Sequence, residues 1–314
     1  MQQPESAQHF TAATDGRNHI SSTAPLMSCS EEAVHAAHAT CAHNANEVAP
    51  LVKNGAHPSQ YIYALGTVEP RFPRLAVEKE FAQATGRAET AGLTDRAALK
   101  AVLSQRQNRY LVRELCWVLT IEGLETYLLV PHDPTDFDLL LETLRPTPRA
   151  TDVDVIIGVK GPLAPPEFCN GLLLPIVRFD QIYSFDVKSF TSAIPRPDSI
   201  SQEQFTPVAE EVFSRIMQMA DNAGATDHHR ALNYLATRYP AIYATTAAAH
   251  GRMSTLTAID VRPSQLNGVR KMVDVIFSYT HRQTDVLDKF ATRVDVTEQF
   301  PFLATKLSPY YECR

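Results

Sequence analysis

The densest metal-ligating chemistry in this chain lies near its start, in Cys29, His35, His38, Cys41 and His43. On a helix, His35, His38 and Cys41 recur at the i, i+3 spacing that shares one broad face. Thiolate and imidazole are the donors zinc prefers, normally four in a tetrahedron. Cys29, His35, His38 and Cys41 are therefore the candidate metal ligands, and zinc is the cofactor they would hold. Their spacing lacks the tight Cys-x2-4-Cys knuckle that anchors standard zinc motifs, so a solvated tail with idle histidines is the preferred reading.

A second polar cluster is Asp227-His228-His229-Arg230. Adjacent histidines on a helix diverge by about 100°, so the two cannot aim at one ion. The cluster reads instead as a helix start, capped by Thr226 or Asp227, with one histidine exposed. Nucleophiles are as sparse. Cys116, among Leu115, Trp117 and Val118, reads as a buried thiol acting as a small hydrophobe. Cys169 precedes Asn170-Gly171 in a proline-flanked loop and is the reactive-thiol candidate, although no histidine can be assigned to it. Gly-x-Ser-x-Gly, Walker A, Gly-x-Gly-x-x-Gly, His-Glu-x-x-His and the subtilisin-type Gly-Thr-Ser-Met-Ala are all absent, so no catalytic residue is assigned.

Two stretches are candidates for binding rather than catalysis. Glu69-Pro70-Arg71-Phe72-Pro73-Arg74 holds an extended loop between the first strand and the first helix, where Glu69, Arg71 and Arg74 could meet a partner peptide or simply pair. Near the other terminus, Tyr310 and Tyr311 either dock the chain end on the core or face a partner, docking being the plainer alternative.

Around these residues the chain divides in two. Residues 1–59 are rich in Ala, Ser, Thr, Asn and His and bury too little to order themselves, which predicts a flexible tail with one short helix opened by the capping box Ser28-Cys29-Ser30-Glu31. Residues 60–314 carry the periodic patterns of one globular domain. A β run Tyr61–Leu65 is ended by Gly66; helices follow over Leu75–Gly86 and from Thr94 or Asp95 to Gln105. Glu122-Gly123 joins Cys116–Thr120 to Thr126–Val130 as a hairpin, and Asp133-Pro134 opens a helix. Val153–Val159, nearly all apolar, reads as a central strand, with Leu172–Phe185 another. Helices span Gln202–Asn222, Asp227–Arg238 and Pro240–His250; strands cover Leu256–Val261, Lys271–Tyr279 and Asp285–Val296. Without a βαβ rhythm, this predicts an α+β fold with a mixed, largely antiparallel sheet and several packed helices.

Composition removes whole classes of function. The 314 residues are 44% hydrophobic and 20% charged, and the net charge is -6. With a pI near 6.0 and a mean hydropathy of -0.18, neither a nucleic-acid footprint nor a membrane span is expected. Met1-Gln2-Gln3-Pro4-Glu5 lacks the charged and apolar regions of a secretory signal. Five scattered cysteines, Cys29, Cys41, Cys116, Cys169 and Cys313, then read as reduced thiols of a soluble cytoplasmic protein rather than a disulfide framework.

One set of strings goes further. Tyr61-Ile62-Tyr63-Ala64-Leu65-Gly66-Thr67-Val68-Glu69-Pro70-Arg71-Phe72-Pro73 and Val77-Glu78-Lys79-Glu80-Phe81 resemble the start of the C-terminal domain of unknown function of the cyanobactin, patellamide-type, maturation proteases. Asn108-Arg109-Tyr110, Cys116-Trp117, Ile121 to Tyr127, Phe179 to Tyr183, Asn222-Ala223-Gly224 and Leu307 to Tyr311 continue the likeness to the C-terminus. The resemblance implies a domain without established catalysis, appended in that family to proteases that cut and cyclise ribosomally made, modified peptides. Here 59 residues replace the peptidase, so the resemblance is to a stand-alone version.

The leading expectation is a non-catalytic accessory protein of ribosomal-peptide biosynthesis that binds a precursor peptide or a peptide-tailoring enzyme, with self-association into a homo-oligomer kept as a further contact. Its rival is a metal- or thiol-dependent peptide-modifying enzyme using Cys169 or the Cys/His tail.

Overall fold

Uninterrupted apolar runs need two buried faces, and the structure supplies them. A computed structural model describes residues 60–87, 93–266 and 268–311. Its first strand, β1 (Tyr61–Arg71), turns Ile62 and Ala64 to one core and Tyr63 and Leu65 to another. Helices α1 (Leu75–Arg87), α2 (Asp95–Ser104) and α3 (Arg109–Glu114) lead to the hairpin β2 (Cys116–Ile121) and β3 (Leu124–Pro131). Glu122 and Gly123 both take positive φ at its turn, as a two-residue hairpin turn of the primed type requires. Helix α4 (Phe137–Thr143) then leads into β4 (Asp152–Leu163) and β5 (Pro175–Asp186).

These five strands close into a barrel in the order β1-β2-β3-β5-β4, antiparallel except where β3 runs beside β5. β1 serves two partners: Tyr61 to Gly66 pair with β4, Thr67 to Arg71 with β2. Gly66 stands where the partner changes, and a Cβ there would run into the Thr120 carbonyl. The glycine therefore does not stop the strand, contrary to the sequence expectation; it lets the strand turn the corner. Glu69, Pro70 and Arg71 consequently belong to β1 and not to a loop.

Helices α5 (Val187–Ala193), α6 (Gln202–Met217), α7 (Asp227–Arg238) and α8 (Ala241–Gly251) follow, then an antiparallel sheet β6 (Ser254–Pro263), β7 (Met272–His281), β8 (Leu287–Asp295), β9 (Phe302–Pro309), in that spatial order. One core fills the barrel and gathers Val102, Leu103, Leu111 and Leu140 from the early helices. A second joins Tyr63, Val155 and Ile157 on the barrel wall to Phe205, Val212, Leu235 and Tyr243 on the helices and Val275, Phe277 and Tyr279 on β7, and a small third gathers Cys116, Val118, Leu128, Ala164 and Cys169. The α+β class with mostly antiparallel pairing is as expected, but two sheets share the work.

Caps explain several boundaries. Thr94 accepts from the Ala97 amide, and Ser201 with Gln204 forms a capping box at the start of α6. α6 ends near Met217, short of Asn222, because Asn222 leaves the helix to donate to the Ile216 carbonyl and to Asn233 Oδ1 at 2.8 Å. Inside the barrel Asp154, 1% exposed, accepts from the Val68 amide at 2.7 Å and from Ser184 Oγ at 2.5 Å, with Arg145 3.5 Å away. Burial pushes its carboxyl pKa up against those bonds.

Thr226 caps α7, accepting from the His229 amide at 3.1 Å. Neither neighbouring histidine is exposed, which corrects the expectation of one solvent-facing imidazole: both are half-buried. Burial lowers both pKa values from the ordinary 6.5, and His228 lowers that of His229 further, with Asp227 countering on His228 and Asp221 on His229. The unfolded chain then binds these protons first as pH falls, so this stability is whole above about pH 6.5 and lost below it. The Tm of the protein is expected to fall more between about pH 7 and pH 5 than that of a His228→Asn/His229→Asn variant. Parallel Tm curves for the two proteins would count against the assignment.

Candidate functional site

Three elements meet at the rim of the barrel and build an open groove of 280 Å3. β1 delivers Glu69 and Arg71 from alternate positions of one strand face, the i, i+2 spacing that a pleat aligns. The turn after β1 adds Phe72, α1 adds Phe81, and α2 adds Arg96 and Leu99 one helical turn apart. Leu144, fully buried behind α4, closes the floor. The rings of Phe72 and Phe81 pack with centroids 5.5 Å apart and tilted by 50°.

The rim is ionic, and Glu69, Arg71 and Arg96 hold one another there. Arg71 Nη1 lies 3.0 Å from Glu69 Oε2 and its Nε 3.1 Å from Glu125 Oε1. Arg96 Nη1 is 3.6 Å from the other Glu69 oxygen, while its Nε donates to the Arg145 carbonyl at 3.1 Å. Partial burial works against the Arg71 charge, but Glu69 and Glu125 outweigh it and raise the pKa overall. The groove thus combines an apolar floor with fixed donors and acceptors at its edge. Its lining offers shape and hydrogen bonding, with the Glu69 and Asp95 carboxylates among its polar groups.

Of the residues the sequence singled out, Glu69 and Arg71 come together here. Arg74 does not join them; it turns away to pair with Glu114 at 2.9 Å. Tyr310 and Tyr311 lie on the four-stranded sheet, beside a second open cavity of 460 Å3 floored by Leu287 to Phe290. Tyr310 docks there, its amide donating to the Lys289 carbonyl at 2.8 Å and its ring 5.2 Å beneath the Arg262 guanidinium. Tyr311 is 83% exposed. Cys29, His35, His38 and Cys41 lie outside the described residues. Among the described residues no group of three or more His, Cys, Asp or Glu side chains is placed to hold a metal ion.

The cysteine reading needs correction. Cys169 is 2% exposed and bonded to Cys116 in a disulfide, with Cα atoms 6.0 Å apart. The segment after β4 folds back over β2, with Ala164 N donating to the Leu174 carbonyl at 2.8 Å, and delivers Cys169 to Cys116 within disulfide reach. Neither the free reactive thiol at Cys169 nor the free buried thiol at Cys116 is present. Arg96, Leu99 and Leu144 escaped the sequence reading. The pair Arg96–Leu99 shows helical spacing, but nothing in the sequence places that face against β1.

Comparison with known proteins shows what this arrangement is similar to. A model of the PatG C-terminal region matches residues 199–310. A solved structure described as "PatG Domain of Unknown Function" shares the fold at a TM-score of 0.64 and 20% identity, over 80% of this chain and 99% of that one. Residues 199–310 are thus similar to the PatG C-terminal region, and the fold is similar to that of the solved PatG domain. No curated protein matches. The stretch matched by the family model runs from the approach to α6 through β9, so in this PatG-like domain the groove at β1, α1 and α2 lies outside that stretch. No helix of the described residues is long and apolar enough to cross a membrane.

Proposed function

We propose that this PatG-like protein is a non-catalytic accessory protein in the biosynthesis of ribosomally made, cyanobactin-like modified peptides, and that its groove binds the precursor peptide. One observation carries the reading: half-buried Phe72, Phe81 and Leu99, packed over buried Leu144, stay open to solvent although Glu69, Arg71 and Arg96 beside them are paired with one another. An extended peptide can seat one apolar side chain on that floor and use the rim for its backbone amides. The family likeness supports the setting in peptide maturation, and an apolar wall edged by paired charges supports binding.

Titration of a fluorescently labelled precursor peptide from the same gene neighbourhood tests this directly. Binding is expected, and Leu99→Glu, which places a carboxylate over the apolar floor, is expected to weaken it about tenfold or more, the cost of losing one anchoring contact. Absence of binding at high micromolar peptide would sink the proposal. Binding that Leu99→Glu leaves unchanged would remove the groove from it. A tailoring enzyme in place of the peptide is the second arm of the same titration.

A further inference from the structure

A further cavity, 220 Å3 in volume, opens where α5 meets the junction of α7 and α8. Phe190 and Ile194 wall it from α5 and the residue after it, Pro240 and Tyr243 from the start of α8. Its polar contribution comes from the end of α7, where Arg238 and Thr237 reach the opening. No carboxylate lines it, and among the described residues Arg238 has no carboxylate partner. The site is therefore apolar with a single formal positive charge.

That charge is held in place. The Arg238 guanidinium stacks 4.7 Å from the centroid of the Tyr183 ring. The Tyr183 hydroxyl is 3.0 Å from that of Tyr63, which is in turn 2.6 Å from Thr237 Oγ1, and Thr237 is anchored at 2.8 Å to the Asn233 carbonyl inside α7. Tyr63 is 1% exposed, so the chain of hydroxyls runs from the core to the mouth of the cavity. A guanidinium stacked on an aromatic face keeps its planar donors at its edge, the geometry that carboxylates match in bidentate fashion.

Size narrows the ligand further. Pockets for whole small molecules run from roughly 300 to 1,000 Å3, and this one is smaller, enough for one residue and not for an extended ligand. We propose that this cavity captures the free C-terminal carboxylate of a peptide whose last residue is apolar, with Arg238 on the carboxylate and the end of α5 and start of α8 around the side chain. The site is separate from the groove on β1, α1 and α2, so either can fail without the other.

The test uses the full chain and a labelled pentapeptide ending in Phe, prepared as the free acid and as the C-terminal amide. Anisotropy titration is expected to show the acid bound about tenfold or more tightly than the amide, the difference made by one hydrogen-bonded charge pair. Arg238→Gln is expected to level acid and amide, and Arg238→Lys to keep part of the preference. A third peptide, an amide with Asp in place of the last Phe, carries a side-chain carboxylate and is expected to bind as weakly as the Phe amide. Equal binding of acid and amide to the unaltered protein would mark a plain apolar contact and overturn the proposal. So would a failure of the acid to bind at millimolar concentration, or binding of the Asp amide as tight as that of the acid.

Discussion

Replacement of Arg230 by methionine is expected to cost roughly 3–5 kcal/mol of stability, the penalty for breaking a buried, hydrogen-bonded charge. Arg230 is 0% exposed. It projects from α7 across to the segment before β9, where Nη1 donates to the Val296 carbonyl at 2.7 Å and Nη2 to the Gln299 carbonyl at 3.2 Å and to the Glu298 carbonyl. Asp227, one turn earlier on α7, lies 3.4 Å from it, and Tyr61 offers its ring 5.3 Å away. Burial lowers its pKa from the ordinary arginine value, with Asp227 countering, yet an arginine stays charged through the neutral range. Methionine fills similar space but leaves the carbonyls without donors, at about 1–3 kcal/mol for each buried group left unpaired. Urea unfolding monitored by far-UV circular dichroism measures the loss. A cost below about 1 kcal/mol would show that the carbonyls find water in place of Arg230 and would refute the account.

The second large effect is expected at Gly224, through sterics alone. Its φ is +70°, in the left-handed region, and its carbonyl accepts from the Tyr63 amide at 3.0 Å. A Cβ there would stand 2.6 Å from the Ala64 Cα and 2.7 Å from the Tyr63 carbonyl carbon, which are backbone atoms of β1 and cannot swing aside. Gly224→Ala is therefore expected to cost the left-handed strain of roughly 1–2 kcal/mol and a further 1–3 kcal/mol of overpacking. Gly123 provides the control: its φ is +80°, but nothing lies within 4 Å of the added Cβ. Gly123→Ala should show the strain without the collision. Equal losses for the two variants in the same urea titration would remove the close approach to β1 from the explanation.

How much of this was legible in the sequence depended on the distance over which each signal acts. Thr94, Thr226 and the Ser201–Gln204 box act within one helical turn, and the starts of the helices they cap were placed within a residue. Glu122-Gly123 acts across two residues and marked its hairpin. Gly66 misled because a glycine in an apolar run has the same local signature whether it ends a strand or bends it, and only the Thr120 carbonyl on another strand decides. β9 went unread because its side chains are mostly exposed at a sheet edge, which removes the alternation that would announce it. The disulfide was missed for a related reason: Cys116 and Cys169 are 53 positions apart, and nothing local says that the chain returns. At the candidate groove, Glu69 and Arg71 were visible because they are neighbours on one strand. Arg96, Leu99 and Leu144 come from other elements and join them only through the tertiary fold.

The divided pairing of β1 has a consequence for synthesis. The strand leaves the ribosome before any partner exists: β2 offers itself to Thr67–Arg71 early, whereas Tyr61 must wait for Val159, and β4 must itself wait for β5 beyond it. At about 5–20 residues per second the roughly 100 residues from Tyr61 to Val159 take about 5–20 seconds, during which half of β1 is an apolar edge facing solvent or the nascent chain around it. Closure of the barrel is thus a late event in translation, and the interval before it is when an unprotected copy is most exposed to pairing with another.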